Sequence, residues 1–460
     1  MANADVETVP TIDDPAAATG LSPLAGEHTN SWFSHAGLGL FIHYDHASQQ
    51  GLETSWPLLG GDAGTGSTTP VEDYHRSAAT FDPEHWDPAD LANLAPAAGM
   101  QYAVFTARHH SGWSSWPSKV SDRTIASSPY GQSKVSDRSI ASSPYGQRGG
   151  DLVREYVNAF RSAGLKVGIY YSLSDWGHPQ YPAFTDDMRP YQAGSYPRPT
   201  ADDWARYRQY LKDQLTELLT WYGPIDLLWF DGEWERTAAE WDSAGLERHI
   251  RALAANIVIN DRLPDHGDYK TPEQFIPAQA LAEPWECCMT MCDNWSYVPE
   301  DRNYKSLHEI LRTLAEVTAK GGNLLLNIGP RGDGSLAPEQ AELLRGLGGW
   351  MDVNKEAVIG VSAGLEPWQY YGPSTSTGDT TYLFALAEPV ETVTVRGIKV
   401  RRVTSVRQLG SSTGLPFSFR TAMNDRQISD PDGELNIEVR NLEDAGVVRV
   451  FAVEMGAEAS

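Results

Sequence analysis

The chain has 460 residues, 41% of them apolar and 21% charged, which suits a globular protein with one barrel-sized domain and a smaller second domain. Its 61 acidic and 36 basic residues give a formal net charge of −25, which argues against nucleic acid or acidic membrane surfaces as partners and fits a neutral substrate. No stretch approaches the roughly eighteen apolar residues of a membrane span, so none is predicted.

Residues 1–30 are rich in Ala, Thr, Pro and Gly, which predicts a loose N-terminal lead-in. They contain neither the basic start nor the apolar core of a secretory signal. The sequence is therefore compatible with a cytoplasmic protein, or with a secreted protein whose signal is absent from this chain.

Six short apolar runs follow, each ending in polar or aromatic residues. Continuous apolar runs of this length are typical of buried parallel strands. Amphipathic stretches at 151–164, 202–223 and 306–322 separate several of them, and this alternation of strand and helix predicts a β/α architecture. The six runs are 37–44, 102–110, 166–172, 225–231, 256–262 and 323–330.

We expect residues 31–362 to form a catalytic (β/α)8-like, TIM-type barrel. A doubly wound sheet is disfavoured because no GxGxxG motif follows the first strand. Polar side chains cluster at the carboxyl ends of the predicted strands, the edge at which barrels carry their chemistry. Residues 363–460 change to short alternating strands separated by turn residues, which predicts a C-terminal all-β sandwich.

Asp231 ends the run at 225–231 and is the first candidate for chemistry. Breaking a glycosidic bond requires two carboxyl groups, and a carboxylate at a strand end can be held rigidly beside a ligand. The alternative is a helix N-cap or an ordinary loop carboxylate. Aromatic side chains suited to the apolar faces of a sugar border the same strand ends or loops. They are Trp113, Trp116, Tyr170, Tyr171, Trp176, Trp229, Trp234, Trp285 and Trp295.

Four histidines raise the alternative of a metal site. His109 and His110 are adjacent, so they would point to opposite faces of a continuing strand and could ligate one ion only if the strand ends there. His43 and His46 could complete such a site, although the alternating His-x-His of barrel metallohydrolases is absent. Hydrogen bonding to sugar hydroxyls is the favoured interpretation, with no metal and no cofactor.

A tandem duplication lies in the loop after His110. Residues 118–132 and 133–147 are the same sequence except for Thr124 in the first copy and Ser139 in the second. One interpretation is a tolerated surface insertion, because lengthening a loop costs little. The other is that the extra copy reshapes the rim of the active site.

The order of six motifs resembles that of glycoside hydrolase family 29, the α-L-fucosidases. The motifs are FIHYDH (41–46), FTARHHSGW (105–113), GIYYSLSDW (168–176), LLWFDG (227–232), INDR (259–262) and GGNLLLNIGPRGDG (321–334). The resemblance implies a barrel followed by a β-sandwich. It also implies a retaining exo-enzyme that removes terminal α-L-fucose from glycans or glycosides by double displacement. Transfucosylation and a homo-oligomer are compatible with it.

The resemblance assigns roles to individual residues. Asp231 matches the position of the nucleophile. Glu273 is the first choice for the acid/base, Glu286 the second and Glu283 the third. Substrate binding falls to His43, His109, His110, Tyr170, Trp229 and Arg262, with Glu53 and Trp56 as weaker candidates.

Two departures from the family pattern, Tyr44 and Ser111, leave other functions open. One alternative is a non-catalytic fucose-binding or glycan-binding barrel that has kept the pocket. The other is a metal-dependent barrel hydrolase.

Overall fold

Seven parallel strands form the first sheet of the computed structural model, which describes residues 21–22, 32–60, 67–120, 138–181, 183–190, 197–440, 442 and 447–456. The strands run in the order β5-β4-β3-β2-β1-β7-β6. They are β1 (Leu38–Ile42), β2 (Tyr102–Arg108), β3 (Lys166–Ser172), β4 (Leu227–Asp231), β5 (Val258–Ile259), β6 (Glu286–Thr290) and β7 (Asn323–Ile328).

All six predicted runs contain strands of this sheet, and β6 was not predicted. Strand β5 is short because the side chain of Asn260 replaces the next backbone pair. Its Oδ1 accepts from the backbone N–H of Phe230 at 2.7 Å, and its Nδ2 donates to the Phe230 carbonyl at 2.9 Å. The sheet is curled, because side chains from all seven strands meet in one buried cluster that includes Phe41, Tyr170 and Trp229.

Among the described residues the ladders of this sheet do not close into a ring, so the sheet is an open, curled version of the expected eight-stranded barrel. Residues 269–273 span the gap between the edge strands by isolated parallel bridges, from Tyr269 to Asn260, from Lys270 to Trp285 and from Glu273 to Cys288. A regular ladder is interrupted there because Pro272 has no N–H to donate.

Helices surround the sheet on its outer side, and several begin at a side-chain cap. Thr200 accepts a hydrogen bond from the Asp203 N–H, and Ser306 accepts one from the Glu309 N–H. The helices are α1 (His46–Gln49), α2 (Val71–Arg76), α3 (Pro88–Ala97), α4 (Pro144–Gln147), α5 (Leu152–Ser162), α6 (Ala201–Trp221), α7 (Ala238–Trp241), α8 (Ser243–Leu253), α9 (Leu307–Ala319) and α10 (Pro338–Asn354). In the part of the chain that the structure describes, no helix has the length and apolar character needed to span a bilayer.

Two antiparallel sheets follow in the chain, as the short alternating strands of residues 363–460 predict. One has the order β12-β15-β10-β9-β8 and the other β11-β14-β13, and a common buried cluster draws on both. Their strands are β8 (Ser362–Ala363), β9 (Ser374–Thr377), β10 (Thr380–Ala385), β11 (Thr392–Lys399), β12 (Val403–Gln408), β13 (Phe417–Arg420), β14 (Asp432–Glu438) and β15 (Arg449–Met455).

The duplicated loop is described at its two ends. Residues 118–120 of the first copy and 138–147 of the second are described, whereas 121–137 lie outside the described residues. Glu217 of α6 accepts the N–H groups of Lys119 and Val120, and the Arg138 guanidinium donates to Asp175 at 2.7 Å. Both described ends are thus fixed to the barrel.

Candidate active site

Polar side chains converge at the carboxyl edge of the parallel sheet because parallel strands all end on the same side. Asp231 is the last residue of β4, and Tyr170 lies near the end of β3. The other side chains at this edge follow β1, β2 and β5 in the chain. They are His43, His109, His110 and Arg262.

Asp231 is 7% exposed and has three polar neighbours. Tyr170 Oη donates to its Oδ2 at 2.7 Å, and Arg262 Nη1 donates to its Oδ1 at 2.6 Å. His110 Nε2 lies 3.5 Å from Oδ2. Burial alone would raise the pKa of Asp231, but Arg262, His110 and Tyr170 together outweigh it and lower the pKa below its usual value. The carboxylate is therefore held ionised.

Arg262 joins two carboxylates. Its Nη1 binds Asp231, and its Nη2 donates to Glu273 Oε2 at 2.5 Å. The guanidinium also lies 4.6 Å from the centre of the Trp229 ring, a cation–π contact that fixes its plane. The side chain of Glu273 is 36% exposed, so of the two carboxylates it is the one nearer to solvent.

The three predicted histidines each use Nδ1 for a partner in the protein. Asn327 Oδ1 lies 2.7 Å from that of His43, and hydroxyl groups of Ser55 and Ser172 lie 2.8 and 2.6 Å from those of His109 and His110. Burial lowers the pKa of His43 and of His110 to about 4 and that of His109 well below its ordinary value. Neutral imidazoles can either donate to or accept from a hydroxyl.

A metal site of four histidines is not formed. His46 Nδ1 lies 2.8 Å from Ser77 Oγ, away from His43, because His46 opens helix α1 while His43 directly follows strand β1. His109, His110 and Asp231 do offer ligand atoms within 4.8 Å of one another. Both oxygens of that carboxylate already accept hydrogen bonds, and the adjacent guanidinium of Arg262 opposes a second cation.

Glu286 lies at the opposite end of the sheet from Asp231, as the first residue of β6. It is 0% exposed, and its oxygens accept hydrogen bonds from Trp229 Nε1 at 2.9 Å, from Tyr269 Oη at 3.3 Å and from the Tyr102 hydroxyl. Burial raises the pKa of this carboxyl to about 7. Its hydrogen-bonding capacity is taken up inside the barrel.

Glu53 and Trp56 lie on one loop beside the site. Glu53 is buried, and its two oxygens accept the backbone N–H groups of Trp295 and Ser296 at 2.7 and 3.0 Å. It thus holds Trp295 beside His43, whose ring centre is 5.1 Å away. Trp56 lies 5.6 Å from the His110 ring. Glu283, the third acid/base choice, is exposed and precedes β6.

Other predicted aromatic residues divide into two groups. Trp234 is partly exposed and runs parallel to Trp56 at 6.5 Å with an interplanar angle of 8°, which forms an aromatic wall at the rim. Four other predicted tryptophans are buried in the packing around the sheet, namely Trp113, Trp116, Trp176 and Trp285. Of these, Trp176 also packs against the site, with its ring centre 4.7 Å from that of His110.

Sequence reasoning missed Glu233 and Asn327. Glu233 follows Asp231 by two residues, and burial raises its pKa to about 8. A second carboxyl group so soon after the strand was a signal that could have been used. Asn327 is buried within β7 and orients His43, a role that its place in an apolar run conceals.

Comparison with known proteins places this site in a family. A family model described as Alpha-L-fucosidase matches residues 15–356. This chain belongs to the α-L-fucosidase family. Within that family it is 28% identical to the α-L-fucosidase of Branchiostoma floridae over 425 residues, which cover 84% of this chain and 86% of that protein.

Solved structures of the family resemble this one. α-L-Fucosidase isoenzyme 1 from Paenibacillus thiaminolyticus superposes with a TM-score of 0.78 at 32% identity, covering 94% of this chain and 100% of that chain. An α-L-fucosidase from Bacteroides thetaiotaomicron, captured as a trapped covalent intermediate, has a TM-score of 0.77 at 22% identity and covers 95% and 98%. At that lower identity the likeness concerns the fold alone.

Proposed function

We propose that this protein is a retaining exo-α-L-fucosidase that hydrolyses terminal α-L-fucose from glycans or glycosides by double displacement. The observation that carries the proposal is the carboxylate of Asp231, held ionised at the carboxyl edge of the sheet by Tyr170 and Arg262. A nucleophile must be ionised and fixed in position before it attacks, and both conditions are met here. The family membership supports the same reaction.

In the first step the Asp231 carboxylate attacks the anomeric carbon of fucose while the bond to the leaving oxygen breaks. A fucosyl ester forms, and the leaving oxygen receives a proton from the acid. In the second step the same group, now a base, removes a proton from water, which attacks the anomeric carbon and frees Asp231. Two inversions give net retention at that carbon. If an alcohol replaces water, the product is a transferred fucosyl group.

Glu273 is the acid/base in this scheme. Glu273 and Asp231 both bind the Arg262 guanidinium. The distance between the two carboxylates is therefore no greater than two hydrogen bonds plus the width of one guanidinium group. Such closeness suits a retaining pair, which requires about 5–5.5 Å. Glu286 is disfavoured because it is enclosed beneath the site.

The sugar is bound by neutral imidazoles and aromatic faces. His43, His109 and His110 can hydrogen-bond hydroxyl groups without bringing a charge into the site. Trp56 supplies a ring face near the histidines, while Trp229 lies under the Arg262 guanidinium and supports it. A fully hydroxylated, uncharged ring with one apolar methyl group is the kind of ligand that this combination fits.

We also propose that the sheet belongs to a closed (β/α)8-like barrel. Residues 269–273 take the place of its eighth strand, supported by their isolated bridges to both edge strands. The catalytic barrel spans 31–362 and the C-terminal β-sandwich 363–460, supported by the start of the antiparallel sheets at β8.

Hydrolysis of nitrophenyl α-L-fucoside, followed by NMR of the first sugar product, tests the proposal. We expect turnover, initial release of the α-anomer of fucose, and no loss of rate with a chelator. Binding without turnover would instead support the non-catalytic glycan-binding alternative. Loss of activity with a chelator and recovery on adding a divalent metal would support the metal-dependent hydrolase. Initial release of the β-anomer would contradict retention.

A further inference from the structure

Glu233 opens a short 3-10 turn, Glu233–Glu235, directly after Asp231 and Gly232. Gly232 has a φ of 76°, and a Cβ at this position would lie 2.3 Å from Ser174 Oγ, so only glycine fits. The turn is fixed from the other side as well, because Trp241 Nε1 donates to the Glu233 carbonyl at 2.9 Å. The backbone of Glu233 is therefore held at a constant place beside the nucleophile.

The two glutamates of this turn differ in how their side chains are used. Both oxygens of Glu235 accept hydrogen bonds, from Trp176 Nε1 at 2.6 Å and from Tyr181 Oη at 2.5 Å. Glu233 Oε2, in contrast, is buried and has no hydrogen-bond partner among the described residues. A buried polar atom without a partner is costly, and at a functional site it indicates a contact that a ligand supplies.

Charged groups around Glu233 determine its protonation. Burial raises its pKa to about 8, with Asp231 and Asp261 acting in the same direction and Arg262 against them. Arg262 is already engaged with two other carboxylates. Glu233 therefore keeps its proton at neutral pH, and a carboxyl group in that form can both donate to and accept from a hydroxyl.

We propose that Glu233 is a further substrate-binding residue, whose carboxyl group uses its buried Oε2 to hydrogen-bond one ring hydroxyl of the sugar that lies against Asp231. This inference rests on the proposed fucosidase function and adds a contact that determines specificity. The next residue, Trp234, belongs to the aromatic wall at the rim, so Glu233 stands in the chain between the nucleophile and that wall. A buried group that is built to pair with a hydroxyl rejects a sugar that lacks it.

The test combines variants of Glu233 with substrates that lack single hydroxyls. We would measure kcat/KM for wild type, Glu233→Ala and Glu233→Gln on nitrophenyl α-L-fucoside and on its 2-, 3- and 4-deoxy analogues. Glu233→Ala should lose roughly 10–100-fold on the parent substrate. On the one analogue that lacks the paired hydroxyl, kcat/KM of Glu233→Ala should be almost equal to that of wild type. Glu233→Gln, which keeps a neutral donor and acceptor, should retain most of the activity.

Glu235→Gln is the matched control from the same turn. It weakens the fixing of the turn, so any loss should be equal on all four substrates. A loss for Glu233→Ala that is likewise equal on all four would overturn the proposal. So would a Glu233→Gln variant as damaged as Glu233→Ala while thermal melting shows both folded.

The pH profile supplies a second measurement. If the neutral carboxyl of Glu233 binds the sugar, wild-type kcat/KM should fall above about pH 8, and Glu233→Gln should lose that alkaline limb. An alkaline limb unchanged in the variant would contradict the proposal. Absence of wild-type turnover on the parent substrate would count against the fucosidase function, whereas turnover without the analogue pattern would remove only the role of Glu233.

Discussion

Two carboxyl groups at opposite ends of the same sheet show how position decides chemistry. Asp231 ends β4 and meets a guanidinium, a phenol and an imidazole. Glu286 begins β6 and meets two phenols and an indole in the closed interior. Burial raises the pKa of each, but only Asp231 has a cationic partner that reverses the effect.

The comparison shows that a carboxylate is reactive here when it has both a compensating positive charge and access to a ligand. Glu286 has donors for its oxygens but no opening to a ligand, so its hydrogen bonds fix Trp229 beneath the site. Asp231 has both a compensating charge and a place at the open edge. Glu273, at the same guanidinium, belongs with Asp231 in this comparison.

The largest effect should come from Asp231→Asn. Loss of the attacking carboxylate should lower kcat by roughly 10⁴-fold or more, measured with nitrophenyl α-L-fucoside. The control is Asp226→Asn, just before the start of the same strand, where the carboxylate accepts the Val167 N–H at 2.9 Å. This control should change the rate by no more than about twofold. Comparable losses for both variants would show that the position of a carboxylate at the carboxyl end of the sheet does not decide its reactivity.

The next largest effect should be the difference in activity between Glu273→Gln and Glu286→Gln. Removing the acid/base should cost roughly 10²–10⁴-fold on a substrate with a poor leaving group. With an activated leaving group, azide should restore turnover of Glu273→Gln, because this small anion needs no general base to attack the fucosyl ester. Glu286→Gln should show a smaller loss that azide does not relieve. Azide rescue of Glu286→Gln alone would transfer the acid/base role to Glu286.

Arg262→Met tests whether Arg262 controls the pKa of Asp231. Burial, which raises the pKa of Asp231, would then be opposed only by His110 and Tyr170. The pKa should therefore rise, and the acidic limb of the kcat/KM profile should move to higher pH. The rate at neutral pH should fall by roughly 10²-fold. An acidic limb that stays in place would show that Arg262 does not control Asp231.

The smallest effect should come from shortening the duplicated loop. Deleting residues 121–135 leaves one full copy and keeps the anchoring contacts of Lys119, Val120 and Arg138. If the extra copy is a tolerated insertion, kcat/KM should stay within about twofold on both a small fucoside and a fucosylated oligosaccharide. A change in the ratio between the two substrates would favour the interpretation that the copy shapes the rim.

Much of the carboxyl edge of the parallel sheet could be predicted from the sequence. Apolar runs that end in polar residues locate the strand ends, and parallel strands bring those ends together. This is why Asp231, Tyr170 and His43 were expected in one place, and the structure brings them together. Arg262 was expected there as well, as the last residue of its run, although that run continues past the two residues of β5.

The rest depended on information that a linear pattern lacks. Strand β6 begins with Glu286 and was not recognised as a strand, so nothing indicated that this glutamate starts an element instead of ending one. The side chain of Asn260 shortens β5, and Pro272 interrupts the pairing of its neighbours, both through contacts with distant segments. That Glu233 Oε2 has no hydrogen-bond partner among the described residues likewise becomes visible only when its surroundings are assembled.

The most direct test of the account is to identify the residue that becomes fucosylated. A 2-fluoro-fucosyl fluoride slows release of the sugar from the enzyme, so the ester can be digested and located by tandem mass spectrometry. We expect one fucosyl adduct per chain, on the peptide that contains Asp231 and on that side chain. An adduct on any other carboxylate would contradict the assignment of Asp231 as the nucleophile, as would inactivation that leaves Asp231 unmodified.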